Sequence, residues 1–284
     1  MELKGGRMVR GRFRETGLVL AVHAALACVA CVMIAPLFWL LCAAFKSPMD
    51  LFHYTFISPN PSVENFFALF HHTPLFGRYV VNSAFISTAV TLLQLFFSSL
   101  AGFALAKYEF RGKRAIMTLM LATMMIPGQV LLAPTYKLIY QMGLVDTYWA
   151  LTLPAIVSVF GIILFRQSML QVPDELLDAG RIDGCSEFRL YWEVALPVSR
   201  PMVGAFCLVA FMGAWNNFLW PQIVLQSHER FTLPIALNQM VGLYSQEYGS
   251  LMAGTLLSIL PVMVLFLILQ KEFLAGLTAG AVKG

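Results

Sequence analysis

Hydrophobic and polar positions divide the chain into six long apolar runs: Leu18–Ala44, Val80–Ala106, Ala115–Ile139, Trp149–Phe165, Met202–Leu225 and Ser250–Leu269. A helix needs ~20 residues to cross a hydrocarbon core about 30 Å thick, so each run predicts a transmembrane helix. The fourth is the shortest. The expected fold is an all-α integral membrane protein. It has an N-terminal tail (residues 1–17), a transmembrane domain (18–270) and a C-terminal tail (271–284). The first run is about twice the length of a signal-peptide core and lacks a clear small-x-small cleavage site, so it reads as a true span. Pro127-Gly128 and Pro134 interrupt the third run and predict a kink there. The longest outer loop, between the first two runs, carries SVENFFALF, which has the pattern of a short surface helix.

Two runs are not uniformly apolar. In the second, Ser83, Ser87, Thr91, Gln94 and Ser98 recur every three or four residues and so share one helical face. Such a face turns away from lipid, either as hydrogen-bonding glue between helices or as the lining of a hydrated pathway. In the fifth, Trp215, Asn216 and Asn217 are adjacent, about 21 Å along the helix from Met202. Two neighbouring amides there need partners, on other helices or on a polar solute stacked against Trp215.

A polar stretch interrupts this pattern between the fourth and fifth runs: VPDELLDAGRIDGCSEFRLYWEVALP, residues 172–197. Pro173, Asp174 and Glu175 suit a first helical turn, and Gly184 breaks it. Ser186 with Glu187 starts a second helix that ends before Pro197. Ala179, Gly180 and Gly184 leave a bare surface for close approach of another backbone, ringed by Arg181, Asp183, Glu187 and Arg189. From physical chemistry alone, a docking segment and an ordinary linker helix both fit.

Composition and charge agree with a membrane protein. Of 284 residues, 59% are hydrophobic and only 12% charged, fewer charges than soluble domains carry. The basic residues are unevenly shared. Lys4, Arg7, Arg10, Arg12 and Arg14, then Lys107, Arg111, Lys113 and Arg114, then Arg166, Arg181, Arg189 and Arg200, and finally Lys271 and Lys283 fall on one side. Lys46, Arg78, Lys137 and Arg230 fall on the other. The positive-inside rule makes both termini and the 172–197 loop cytoplasmic. The basic balance is thus topological, and nucleic acid is excluded as a partner. Cys28-x-x-Cys31 has a redox spacing but no second pair, so no metal site is expected.

Several chemistries are missing from the sequence. It has no phosphate loop, no serine nucleophile elbow and no HExxH, so no catalytic residue is assigned and no cofactor is expected on this chain. Apart from Lys137, two residues from the outer end of the third run, the runs hold no Asp, Glu, Lys or Arg, which weighs against an ion-coupled secondary transporter, the alternative reading. A membrane anchor without transport activity is a third.

The 172–197 stretch resembles the EAA signature of binding-protein-dependent ABC importer permeases, E-A-A-x3-G-x9-I-x-L-P. It aligns as Asp178, Ala179, Gly180, Gly184, Val194, Leu196 and Pro197 with the spacing intact; Asp, Gly and Val replace Glu, the second Ala and Ile. From Ala35 onward, MMIPGQVLLAPTYKLIYQMGLVDTYWALTLP (124–154), IDGCS (182–186), WNNFLWP (215–221) and QKEFLAGLTAGAVKG (270–284) resemble carbohydrate-uptake permeases of the maltose type, the closing segment being similar to the MalG-like second permease.

The resemblance implies a MetI-like permease fold with a cytoplasmic coupling helix, in a bacterial inner membrane. It implies three kinds of partner besides the lipid bilayer: a MalF-like permease, two copies of an ABC ATPase that hold ATP and Mg, and an external solute-binding protein. It places ATPase coupling on Asp178, Ala179, Gly180, Asp183, Gly184, Leu196 and Pro197, with Asp178 facing a basic group of the ATPase. A pathway through Ser87, Thr91, Gln94, Trp215, Asn216 and Asn217 would carry a sugar, polyol or glycerol-phosphate-type solute. In the loop 227–250, Asn238, Gln239, Leu243, Tyr244, Gln246 and Glu247 would contact the binding protein and displace its ligand; a plain interhelical cap is the alternative.

Overall fold

The computed structural model describes residues 5–47, 50, 55–241 and 248–279, and all the regular structure among them is helical. In chain order the helices are α1 (Gly5–Ala44), α2 (Glu64–His72), α3 (Phe76–Lys107), α4 (Lys113–Thr123), α5 (Leu132–Gln141), α6 (Tyr148–Thr152), α7 (Val159–Met169), α8 (Asp174–Ile182), α9 (Glu187–Leu190), α10 (Leu196–Val198), α11 (Arg200–Trp215), α12 (Leu219–Val224), α13 (Leu233–Gln239) and α14 (Tyr248–Ala279).

Among the described residues, three segments are long and apolar enough to cross a bilayer unaided: Gly17–Ala44, Phe76–Lys107 and Tyr248–Gly276. Three more candidates are bent pairs. Lys113–Thr123 and Gly128–Gln141 meet at 93°, Tyr148–Ala155 and Val159–Met169 at 44°, and Glu187–Val198 and Arg200–Trp215 at 83°. Counting each pair as one crossing gives six. The third run therefore does more than kink: Pro127, extended at ψ 129°, turns the chain almost at right angles.

The fifth run is not the single helix expected over Met202–Leu225. α11 stops at Trp215, because Asn216 and Asn217 favour a cap over a helix interior, and the chain restarts as α12 at Leu219. α11 is ~24 Å long, short of a full hydrocarbon crossing. At its other end, Pro197 has no N–H to donate to Glu193. The backbone widens into a π-turn over Tyr191–Ala195, and the direction changes before Arg200.

The chain forms two compact units, Met1–His71 with Ser245–Leu256, and His72–Tyr244 with Leu257–Gly284. In the first, the buried Asn65 amide donates to the carbonyls of Ala44 (2.9 Å) and Lys46 (2.7 Å), closing the end of α1 against α2. In the second, α3 is the central post, packed against α7, α11 and α13. Two glycines set this packing. A Cβ on Gly102 would lie 2.6 Å from Phe165 Cβ and 2.8 Å from the Arg166 backbone nitrogen, and one on Gly161 would lie 2.5 Å from Phe206 Cε2. The buried core joins Phe103, Phe165 and Phe206 from these helices to Leu177, Leu190, Tyr191 and Ala195 from the polar stretch.

Candidate docking loop and translocation cavity

The polar stretch is a folded hairpin. The Lys107 ammonium, at the end of α3, donates to the Val172 carbonyl (2.5 Å) and to Asp174 (2.6 Å). This fixes where α8 begins. Asp174 and Glu175 occupy its first turn, where the helix dipole favours them. α8 ends at a reversal carried by Gly184, whose φ of +82° a side chain would strain. The Cys185 N–H then returns to the Gly180 carbonyl (2.9 Å), and Ser186 caps α9 by accepting from the Arg189 N–H (3.3 Å).

Several charged residues of the hairpin are tied to each other. Arg181 bridges Asp178 (2.7 Å) and Glu187 (2.9 Å), and the Tyr108 hydroxyl donates to the other oxygen of Glu187. The Arg181 guanidinium, and then the Tyr108 hydroxyl, hold the Glu187 carboxyl below its ordinary range. One sequence expectation gains a detail and another is corrected. Asp178 already has a cationic partner within this chain. Gly180 is not a bare outer surface: a Cβ there would meet Leu190 Cδ2 at 2.5 Å, so its smallness serves the hairpin's own packing.

Among the other coupling residues, Ala179, Asp183, Gly184 and Pro197 are exposed, while Leu196 packs on the core. The outer face also carries apolar groups that sequence reasoning passed over. Leu176, Phe188 and Trp192 are about half exposed and Ile182 is 87% exposed. The Phe188 and Trp192 rings stack at 6.5 Å and 13°. Their i,i+4 spacing was the available signal.

The predicted polar face of α3 resolves into two roles. Thr91 donates to its own helix at Ser87 O (2.6 Å), and Ser98 donates to Ser158 O (3.2 Å). Ser83, Ser87 and Gln94 line a cavity of about 280 Å³ with walls from α3, α7 and α11; Asn217 and Thr232 also line it. The Gln94 amide donates to the Ala155 carbonyl (2.7 Å) at its edge. Thr91, Trp215 and Asn216 do not line this cavity. Trp215 is buried with its ring stacked on Phe211 (5.7 Å), and Asn216 caps the end of α11 facing outward. Of the asparagine pair, Asn217 is the one that reaches the cavity.

A clasp that the sequence did not reveal holds one end of the cavity. Asp146 sits in the left-handed region (φ 59°) and accepts from the Gln226 N–H (2.9 Å), the Ser227 N–H (3.0 Å), the Ser227 hydroxyl and Arg230 (2.7 Å). Burial opposes ionisation, but these donors outweigh it and draw the carboxyl down to about 2. Beside it, the Asn82 amide donates to the carbonyls of Glu229 (3.0 Å) and Phe231 (2.9 Å), and Ser83 accepts from the Leu233 N–H (2.7 Å). Residues 226–233 are thereby laid over α3, with Thr232 in the cavity wall.

The first half of the expected displacing loop is not a free loop. It forms α13, with Leu233, Ile235 and Ala236 buried and Asn238 and Gln239 exposed. Leu243, Tyr244, Gln246 and Glu247 lie outside the described residues.

Comparisons with known proteins agree with this arrangement. Residues 94–275 match the family described as binding-protein-dependent transport system inner membrane component. The chain is 38% identical over 260 residues to the arabinooligosaccharides transport system permease protein AraQ of Halalkalibacterium halodurans, covering 90% of this chain and 93% of that one. It is 37% identical over 222 residues to the lactose transport system permease protein LacG of Rhizobium radiobacter, covering 78% and 80%. A chain of a bacterial ABC transporter involved in the import of the acidic polysaccharide alginate has the same fold, with a TM-score of 0.81 at 23% identity over 92% of this chain and 97% of that one.

Proposed function

Because the chain belongs to the family of binding-protein-dependent transport system inner membrane components, we propose that it forms half of the translocation pathway of an ATP-driven importer for a sugar or a related polyol or glycerol-phosphate-type solute. The other half is a second, MalF-like permease. Two copies of an ABC ATPase hold ATP and Mg and perform the only covalent chemistry, and an external binding protein delivers the solute. Both termini and the 172–197 hairpin face the cytoplasm. Asn238–Glu247 meets the binding protein.

One observation carries this reading. The hairpin is apolar on both sides: Leu176, Ile182, Phe188 and Trp192 are exposed, while Leu177, Leu190 and Tyr191 are built into the core between α3, α7 and α11. A water-facing segment with that much exposed apolar surface has something to bury it against. A partner gripping the outer side can move the cavity walls through the inner side. Ala179 and Gly184 let that partner approach closely, and the polar face of α3 with Asn217 supplies the route.

The test is reconstitution of the full transporter in vesicles with Ile182→Asp or Gly184→Trp in this chain. Each should leave membrane insertion and pairing with the second permease intact, release the ATPase on purification and abolish ATP-dependent uptake. Wild-type uptake should survive collapse of the ion gradients. Normal uptake by both variants would refute docking, and uptake that follows the ion gradient without the ATPase would establish a secondary transporter instead.

A further inference from the structure

The cavity beside α3 says something about the charge of its occupant. Among its lining residues there is no Asp, Glu, Lys, Arg or His. Its polar groups are hydroxyls and amides set in an apolar wall that includes Phe160 and Val209. Two of those hydroxyls have no hydrogen-bond partner: Ser87 Oγ, on a residue only 1% exposed, and Thr232 Oγ1, on a residue 4% exposed. A buried hydroxyl without a partner is unfavourable until something supplies one. Ser87 comes from α3 and Thr232 from the clasped 226–233 segment, so the two reach the cavity from different elements.

An anion would find no compensation there. Two of the outer-loop cations are already paired, Arg230 with Asp146 (2.7 Å) and Arg78 with Glu229 (3.6 Å). The start of α7, where a helix dipole would attract negative charge, is capped within the chain: Ser158 Oγ accepts the Gly161 N–H at 3.1 Å. A carboxylate or phosphate entering this space would lose its water without gaining a counter-charge. A polyhydroxyl solute would instead satisfy Ser87 and Thr232 and lay its C–H surface on the apolar wall.

We propose that the cavity formed by α3, α7, α11 and Thr232 is a subsite for an uncharged, hydroxyl-rich solute, such as a neutral sugar ring or polyol, and that it rejects carboxylated or phosphorylated solutes. This rests on the cavity being part of the route, as proposed above, and narrows the solute class within it.

The test does not require the natural solute. Thr232→Cys and Ser87→Cys are made separately in the full transporter, with the five native cysteines replaced by alanine or serine. Each is treated with two methanethiosulfonates of similar size, the neutral hydroxyethyl and the anionic sulfonatoethyl reagent. Ser62→Cys, in the outer loop, is the reference. At both cavity positions the neutral reagent should be favoured over the anionic one by about 10-fold more than at the reference. Equal ratios at cavity and reference would overturn the neutral-solute assignment while leaving the route in place. Failure of both reagents to react at either cavity position, at rest and during ATP turnover, would overturn the route and this inference with it. Two independent positions guard against one variant failing to assemble.

Discussion

Replacing Asp146 should loosen the clasp over the cavity, and the loss divides into separable parts. The carboxylate accepts four hydrogen bonds. Those from Gln226 and Arg230 are near solvent, so water replaces them at little loss. The two from Ser227 are partly buried, and charge-assisted bonds of this kind contribute about 1.5–3 kcal/mol each before competition with water. Backbone strain adds to this, since a left-handed φ of 59° costs alanine about 1–2 kcal/mol that glycine avoids and asparagine tolerates. Asp146→Ala should therefore lose about 3–4 kcal/mol, Asp146→Gly about 1 kcal/mol less, and Asp146→Asn, which keeps one acceptor oxygen and the backbone shape, about 1–2 kcal/mol.

The charge gives an independent check on the last figure. The carboxyl titrates at about 2 in the fold against 3.8 ordinarily. Its contribution is thus fully present above pH 3.8 and is lost as pH falls from there to 2. Discounted for partial exposure, it amounts to about 1–2 kcal/mol, in line with Asp146→Asn. The assay is the apparent Tm of the detergent-purified transporter at one scan rate and neutral pH. At about 2–4 °C per kcal/mol, Asp146→Ala should melt roughly 6–16 °C early. A shift under about 1 °C, or Asp146→Asn falling as far as Asp146→Ala, would refute the clasp.

Four further outcomes are expected. Tyr191→Phe removes the buried bond to Ser99 (2.7 Å) and should lower solute moved per ATP while leaving ATPase binding unchanged, both measurable in vesicles. Gly102→Ala places a Cβ against the Arg166 backbone, which cannot rotate away, and should cost about 1–3 kcal/mol, read as a lower Tm. With the native cysteines removed, Ser62→Cys should react with an impermeant thiol reagent from outside and Arg111→Cys only after permeabilisation; the reverse would invert the topology. Deleting Leu243–Gln246 should spare assembly and basal ATPase activity but reduce the stimulation by loaded binding protein, and unchanged stimulation would leave that segment a cap.

Much of the fold was legible because its signals are local. Apolar run length marks membrane helices, and the glycine–serine punctuation of 184–186 marks the hairpin turn and its cap. The break at Asn216-Asn217 was hidden because an apolar window averages over two amides that one helix end accommodates. The site was legible where periodicity carried it: Ser83, Ser87 and Gln94 line the cavity, and their helical spacing is plain. Asp146 and Arg230 are 84 residues apart in sequence, and no local pattern announces a contact made by tertiary folding. Gly180 looked like surface for a partner because a motif gives positions without directions. Only the packing reveals that Leu190 takes up the space left by Gly180, and that Arg181 lies beside Asp178.

Adjacent residues on α3 connect the two sites. Ser98 donates across to Ser158 on the cavity side, and Ser99 meets the Tyr191 hydroxyl in the core under the hairpin. Around them, the seats of α7 at Gly102 and of Phe206 at Gly161 are too close for a single added carbon, so these helices cannot slide into one another. In the proposed coupling, a pull on the hairpin would be carried as rotation of α3, α7 and α11 together rather than absorbed by compression. The compliant parts lie at the ends of that block, at the π-turn before Pro197 and at the Asn216–Phe218 break. Rotation about these two points would change the distance between Asn217 and the α3 face, and so the width of the cavity.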